Sequence, residues 1–187
     1  MTESILLTGG TGFLGTELAA RLIRIPGVKI YACIRSENQA EAYCRAQYAW
    51  FHEKELYRAI GGAVIPISGD FTKPGLGLDA ETRQILRETV TLALHVGAEI
   101  GFQKSAETLF KANATGTERM LSFAADIKNL RRFVYVSTAY VAGRKSGLVT
   151  EDESPGAAFP VSTKGARRRR KRWYALPACR FPSAAPV

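Results

Sequence analysis

Two residue types with a taste for metals and redox chemistry are scarce in this 187-residue chain, which holds two histidines and three cysteines. Cys33, Cys44 and Cys179 are odd in number, widely separated and outside any CxxC or Cys/His ligand spacing. That pattern excludes a disulfide framework and a structural zinc site, and it fits thiols in a reducing compartment. No apolar run approaches the ~20 residues that span a bilayer. The N-terminal MTESILLTGG enters an apolar segment without the basic stretch of a secretory leader, so a cytoplasmic protein is expected. Nor is there self-similarity at a period of about 20–50 residues, which excludes a repeat solenoid.

Acidic residues are missing from one end. All 17 lie at or before Glu153, whereas 8 of the 26 basic residues lie beyond it, six of them in the unbroken run Arg167 to Arg172 of STKGARRRRKRW. Residues 1–154 therefore carry 18 basic against 17 acidic side chains, and the pI near 9.7 belongs to the tail. The body offers no charge argument for a polyanion-binding surface. Two parts are expected: a folded domain over 1–158 and a basic, disordered tail over 159–187.

The body alternates short apolar runs with helical spacing. SILLT (Ser4 to Thr8) reads as a buried strand, and Leu14, Leu18, Leu22 and Ile23 then recur at helical intervals. VKIYACI follows the breakers Pro26 and Gly27 as a second strand. A helical stretch from about Glu37 to Ile60 precedes the glycine pair 61–62, and AVIPIS is a third strand. DAETRQILRETV reads as a helix capped by Asp79, TLALHVGA as a strand, KSAETLFKANATGTERMLSFAADI as a long helix, and RRFVYVST as a strand ending at Ser137 and Thr138. Such alternation predicts an α/β fold: a Rossmann-type doubly wound parallel sheet, incomplete at about five strands, with helices on both faces.

The first strand-to-helix turn, TGGTGFLG, carries Gly9, Gly12 and Gly15 at GxxGxxG spacing. Glycine there permits unusual backbone angles, close approach of a pyrophosphate to the main chain, and tight packing of helix on strand. The N–H groups of the following helix would hold the phosphates. A turn that is merely tight is the alternative, and the strand–turn–helix context favours dinucleotide binding. At the end of the second strand, where a carboxylate would bond ribose hydroxyls, stands Arg35 of ACIRSEN. A guanidinium suits a 2′-phosphate, and Arg45 lies within reach in the following helix. The expected cofactor is NADP(H); Glu37 leaves NAD(H) open, and a solvated Arg35 is the bland alternative.

Taken together, ILLTGGTGFLG, YACIRSENQAEAYCR, GDFTKPGLGLD, HVGAEIGF, ANATGT and FVYVSTAYVAG resemble, in order and spacing, the extended short-chain dehydrogenase/reductases. The resemblance is to the male-sterility-like branch of fatty acyl-CoA reductases and thioester reductase domains, over about residues 4–154. It implies that Gly9, Thr11, Gly12, Phe13, Leu14 and Gly15 hold the pyrophosphate and that Arg35 and Arg45 hold the 2′-phosphate. Asp70 and Phe71 would flank the adenine, Gly97 and Ala98 would line the path to the nicotinamide ribose, and Asn113 would brace the sheet. Thr138 matches the catalytic Ser/Thr, whose hydroxyl stabilises the developing oxyanion, and the substrate would be an acyl-CoA or acyl-carrier protein. His95 is read as structural.

The branch also needs a Tyr with a Lys four places on, to deliver the proton and grip the ribose. No tyrosine of this chain has a lysine at that distance, and Pro160 stands four places before Lys164. From there the resemblance gives way to ARRRRKRWYALPACRFPSAAPV, as in a frameshifted or truncated form. The expectation is an inactive NADPH-dependent acyl thioester reductase. The alternatives are a non-catalytic NADP(H)-binding module and nonspecific polyanion binding through Arg167 to Arg172 with Trp173 and Tyr174. Removing residues 160–187 is expected to leave the melting temperature of the remainder nearly unchanged and to abolish salt-sensitive retention on heparin. A large loss of stability would instead place Trp173, Leu176 or Phe181 in the core.

Overall fold

A computed structural model of the chain describes residues 3–101, 103–138 and 147–150. The first strand, β1 (Glu3–Thr8), lies at the centre of a parallel sheet between β2 (Val28–Ile34) and β4 (Leu92–His95). Beyond these lie β3 (Val64–Ser68), paired to β2, and β5 (Arg132–Tyr135), paired to β4, which gives the order β3-β2-β1-β4-β5. The chain winds outward from β1 in one direction and returns to wind outward in the other. That reversal opens a crevice at the carboxyl ends of β1 and β4.

Side-chain alternation along β1 assigns the two faces. Ile5 and Leu7 pack with Ile30, Ala32 and Ile34 against α1 (Phe13–Leu22), α2 (Gln39–Ala49) and α3 (Lys54–Arg58). Leu6 packs with Tyr31, Cys33 and Ala93 against α4 (Ala80–Thr89) and α6 (Gly116–Ala125). On the first face the helices contribute Ala19, Ala42 and Ala46, all fully buried, so their backbones lie close to the sheet. Local chemistry sets the helix starts: Asn38 accepts from Glu41 N at 2.9 Å, and Asp79 accepts from Thr82 N at 2.8 Å. No helix among the described residues is long and apolar enough to cross a membrane.

Three elements depart from the sequence expectation. The helix expected to run from Glu37 to Ile60 is broken after Ala49, because Trp50 leaves helical geometry and buries its indole completely. Its Nε1–H donates to the Gly10 carbonyl at 3.0 Å. A tertiary hydrogen bond and a large apolar burial thus outweigh one more turn of helix. The long helix expected after Lys104 begins at Ala106 as α5 (Ala106–Phe110) and passes through a π-turn over Lys111–Thr115 into α6. Asn113, on that turn, donates to Glu99 O and accepts from Glu99 N, both at 2.8 Å, so the loop after β4 is tied to the widened helix. The expected fifth strand ends at Tyr135 rather than at Thr138, and just past it Val136 N donates to His95 O at 3.0 Å.

Trp50→Phe removes the indole N–H and is expected to cost about 1–2 kcal/mol in urea unfolding with an unchanged m-value. Trp50→Ala adds a cavity and should cost roughly 3–5 kcal/mol.

Candidate functional site

The turn between β1 and α1 is shaped by contacts that only glycine allows. Gly9 has φ +74°, and a Cβ there would stand 2.5 Å from Gly97 N, so the turn after β1 presses on the loop after β4. A Cβ on Gly15 would collide with the Gly9 carbonyl. Gly12, the N-cap of α1, is different: within 4 Å its Cβ would meet only the Gly9 carbonyl oxygen, at 3.4 Å. Two glycines close the turn on itself, and the third leaves its outer face open. The turn is held from behind by the Gly10 carbonyl, which accepts from Trp50 Nε1 and from Thr16 Oγ1 at 3.2 Å.

Thr11, Gly12, Phe13 and Leu14 are all exposed on this face, Phe13 at 96%. The first turn of α1 holds no acidic side chain and no side-chain cap, so its N–H groups meet an approaching anion unopposed.

Beside the turn is a cleft of about 400 Å³ lined by Thr11, Ile34, Arg35, Cys44, Arg45, Tyr48 and Ala49. The structure therefore brings Arg35, from the end of β2, and Arg45, from α2, to one cavity. Arg35 Nε lies 3.9 Å from Asp70 Oδ2, a loose pairing, while Arg45 Nε bonds Glu41 Oε1 at 2.8 Å. Glu41 in turn accepts from Glu37 N at 2.7 Å. That backbone N–H first, then the Arg45 guanidinium, hold its carboxyl below the ordinary range against a smaller opposing effect of desolvation. Glu41 thus stays ionised and fixes the direction of Arg45. Tyr48 and Cys44 were not singled out from the sequence, although both lie on the α2 face that carries Arg45.

On the other side of the turn, Asp70 accepts from Thr72 N at 2.8 Å and Thr72 Oγ1 at 2.7 Å, leaving Oδ2 toward Arg35. The Phe71 ring is wedged into packing: Cβ atoms on Gly97 and Gly116 would stand 2.7 Å and 2.6 Å from it. Gly97 is buried against that ring, and Ala98 is exposed. Asn113 braces the 96–101 loop, through Glu99, rather than the sheet directly.

His95 closes β4 in full burial and connects two elements. Its Nδ1 lies 2.6 Å from Thr8 Oγ1, and its Nε2 lies 3.2 Å from Thr117 Oγ1. Thr117 donates its own proton to Asn113 O at 2.9 Å, so it accepts from Nε2–H, and Thr8 donates to Nδ1. Phe71 meets the imidazole edge-on and Tyr135 stacks on it, with centroids at 5.2 Å and 5.5 Å. Burial pushes the imidazole pKa down from 6.5 to about 4, so the ring is neutral.

Thr138 is half-buried three residues past β5, on the carboxyl side of the sheet where the open turn also lies. Tyr140, Pro160 and Lys164 fall outside the described residues.

An open glycine turn at the switch point of a five-stranded parallel sheet, next to a cleft with two guanidiniums, defines a Rossmann-type nucleotide-binding protein. The male sterility protein family, an NAD-binding one, matches over residues 7–174, a range that takes in Pro160 and the basic run; the chain belongs to this family. It is 32% identical over 144 residues to fatty acyl-CoA reductase wat of Drosophila melanogaster, covering 74% of this chain and 28% of that one. It is 33% identical over 162 residues to a component of the linear gramicidin synthase of Brevibacillus parabrevis, 82% of this chain and 3% of that protein. Among solved structures, the terminal R domain from the myxalamid PKS-NRPS pathway superposes with TM-score 0.73 and 30% identity, over 87% of this chain and 42% of that one. The chain thus spans under half the length of each of these three relatives.

The burial of neutral His95 makes stability depend on pH. Its folded pKa lies below the unfolded value, so the unfolded chain binds the extra proton between about pH 6.5 and 4. Stability is complete above that window and falls within it as pH drops, by up to roughly 3 kcal/mol for this one group. His95→Gln should flatten that part of a urea-unfolding profile; a slope equal to the parent's would assign the loss to other groups.

Proposed function

We propose that this chain is the nucleotide-binding part of an NADPH-dependent reductase of acyl thioesters, and that as it stands it binds dinucleotide without turnover. The observation that carries the first half is the cleft: two guanidiniums, Arg35 and Arg45, face one cavity beside an open glycine turn. The residues present fit such a group. Gly12 leaves room for a pyrophosphate against the main chain, the first turn of α1 offers N–H donors, and Arg35 and Arg45 offer planar donor forks to a 2′-phosphate. When bound, the dinucleotide would supply the hydride that, with one proton and departure of the thiol, takes a thioester to an aldehyde, or with a second hydride and proton to an alcohol.

The acyl thioester comes from the relatives: fatty acyl-CoA reductases on one side, and the R domain of a PKS-NRPS pathway on the other. The Thr138 hydroxyl would donate to the carbonyl oxygen as negative charge gathers there. Delivery of the proton is the missing step. No Tyr in the chain has a Lys four residues on, and Pro160 carries no proton to give. General acid–base groups contribute ~10²–10⁴-fold, and lost positioning of the ribose adds to that. A dinucleotide-binding module is therefore the form in which this chain would act.

Calorimetry is expected to show NADPH binding tighter than NADH by about 1–3 kcal/mol, the scale of charge-assisted contacts. Arg35→Ala should erase most of that difference; equal affinities in the parent chain would overturn the cofactor assignment. In an NADPH-oxidation assay with acyl-CoA and acyl-carrier substrates, the chain should show no turnover. Clear turnover abolished by Thr138→Ala would mean that another residue donates the proton, with Tyr140 and Lys164 the first to substitute.

A further inference from the structure

The α2 face that carries Arg45 also carries a residue with no structural task. Tyr48 is 89% exposed, although it lines the same cleft as Arg35, Arg45 and Thr11. Its neighbours on the helix, Ala42, Ala46 and Trp50, are fully buried, so the packing of α2 is complete without it. Among the described residues its hydroxyl has no hydrogen-bond partner and its ring no aromatic or cationic one; the Arg45 guanidinium, one turn earlier, is bonded to Glu41 instead. A large ring held out at the lip of a cleft bears a cost in exposed apolar surface that a planar ligand would relieve.

We infer that Tyr48 is the base-stacking residue of this site, its ring stacking on the adenine of a 2′-phosphorylated adenosine while Arg35 and Arg45 hold the phosphate. The inference rests on the dinucleotide reading above and adds the residue that holds the base. The rigid helix places ring and guanidinium one turn apart, so the base and its 2′-phosphate are read by a single element. Base–aromatic stacking is tolerant of substituents, because every base offers a π-face. It follows that the ring, not the hydroxyl, carries the effect.

The test uses the full chain with Cys179→Ser, so that Cys44, exposed in the same cleft, is the thiol that reports. Cys33 is buried, its thiol pushed up to about 12, and stays silent to alkylation at neutral pH. Protection of Cys44 from iodoacetamide by 2′,5′-ADP gives the affinity without any turnover, and inorganic phosphate serves as the probe that lacks a base. Tyr48→Ala is expected to weaken 2′,5′-ADP about tenfold. The same variant should leave protection by phosphate unchanged, and Tyr48→Phe should stay within about twofold of the parent. If Tyr48→Phe is as weak as Tyr48→Ala, the hydroxyl is a phosphate ligand and the stacking assignment is overturned; an unchanged Tyr48→Ala overturns it as well. A parent chain that is protected by 5′-ADP but not by 2′,5′-ADP defeats the NADPH reading alone, and the same variants measured with 5′-ADP then decide the role of Tyr48.

Discussion

The contact between Gly9 and Gly97 is the constraint on which the other features depend. A Cβ on Gly9 would stand only 2.5 Å from Gly97 N, so the turn after β1 and the loop after β4 leave the sheet with their backbones in close contact. That closeness sets where each can go. The first turns over into α1 with its outer face bare, and the second is caught from behind by Asn113 and from the side by the Phe71 ring. One larger side chain at either position would move a turn, a loop and the packing of a core aromatic together.

A second dependence runs through α2. Its last turn ends in Trp50, whose indole holds the Gly10 carbonyl, while the opposite edge of the same helix presents Arg45 and Tyr48 to the cleft. The distance from the glycine turn to Arg45 is therefore held by a buried tryptophan as well as by the loops between them. Helices position side chains more tightly than loops do, and here one helix reaches both the glycine turn and the cleft.

Much of this was readable from residue order. Buried parallel strands announce themselves as short apolar runs, and the glycine spacing after β1 identifies the turn because few other arrangements need three glycines there. Arg35 was legible from its place at a strand end. What stayed hidden was tertiary: nothing local in AQYAWFHEKEL says that Trp50 will abandon helical geometry for a carbonyl forty residues earlier in the chain, since the helical pattern continues through it. The π-turn was hidden for the same reason: Asn113 was expected to brace the sheet, and its bonds to Glu99 show only once that loop lies beside it. So were the contacts of the Phe71 ring, which packs on Gly97 and Gly116, two glycines far off in sequence. That no Tyr has a Lys four places on was visible at once, since a missing side chain is a sequence fact before it is a structural one.

The hydrogen-bonded chain Thr8–His95–Thr117–Asn113 has a further consequence for how this protein responds to its surroundings. Each proton in it has one acceptor, and the imidazole is kept from solvent by two aromatic rings. The β1 and β4 ends are thus joined by a polar link whose protonation state does not change near neutrality. Any ionisation seen in ligand binding around pH 7 must arise elsewhere, in the phosphate of the ligand or in groups on the surface, and the histidine beside the turn acts as an insulator rather than a sensor.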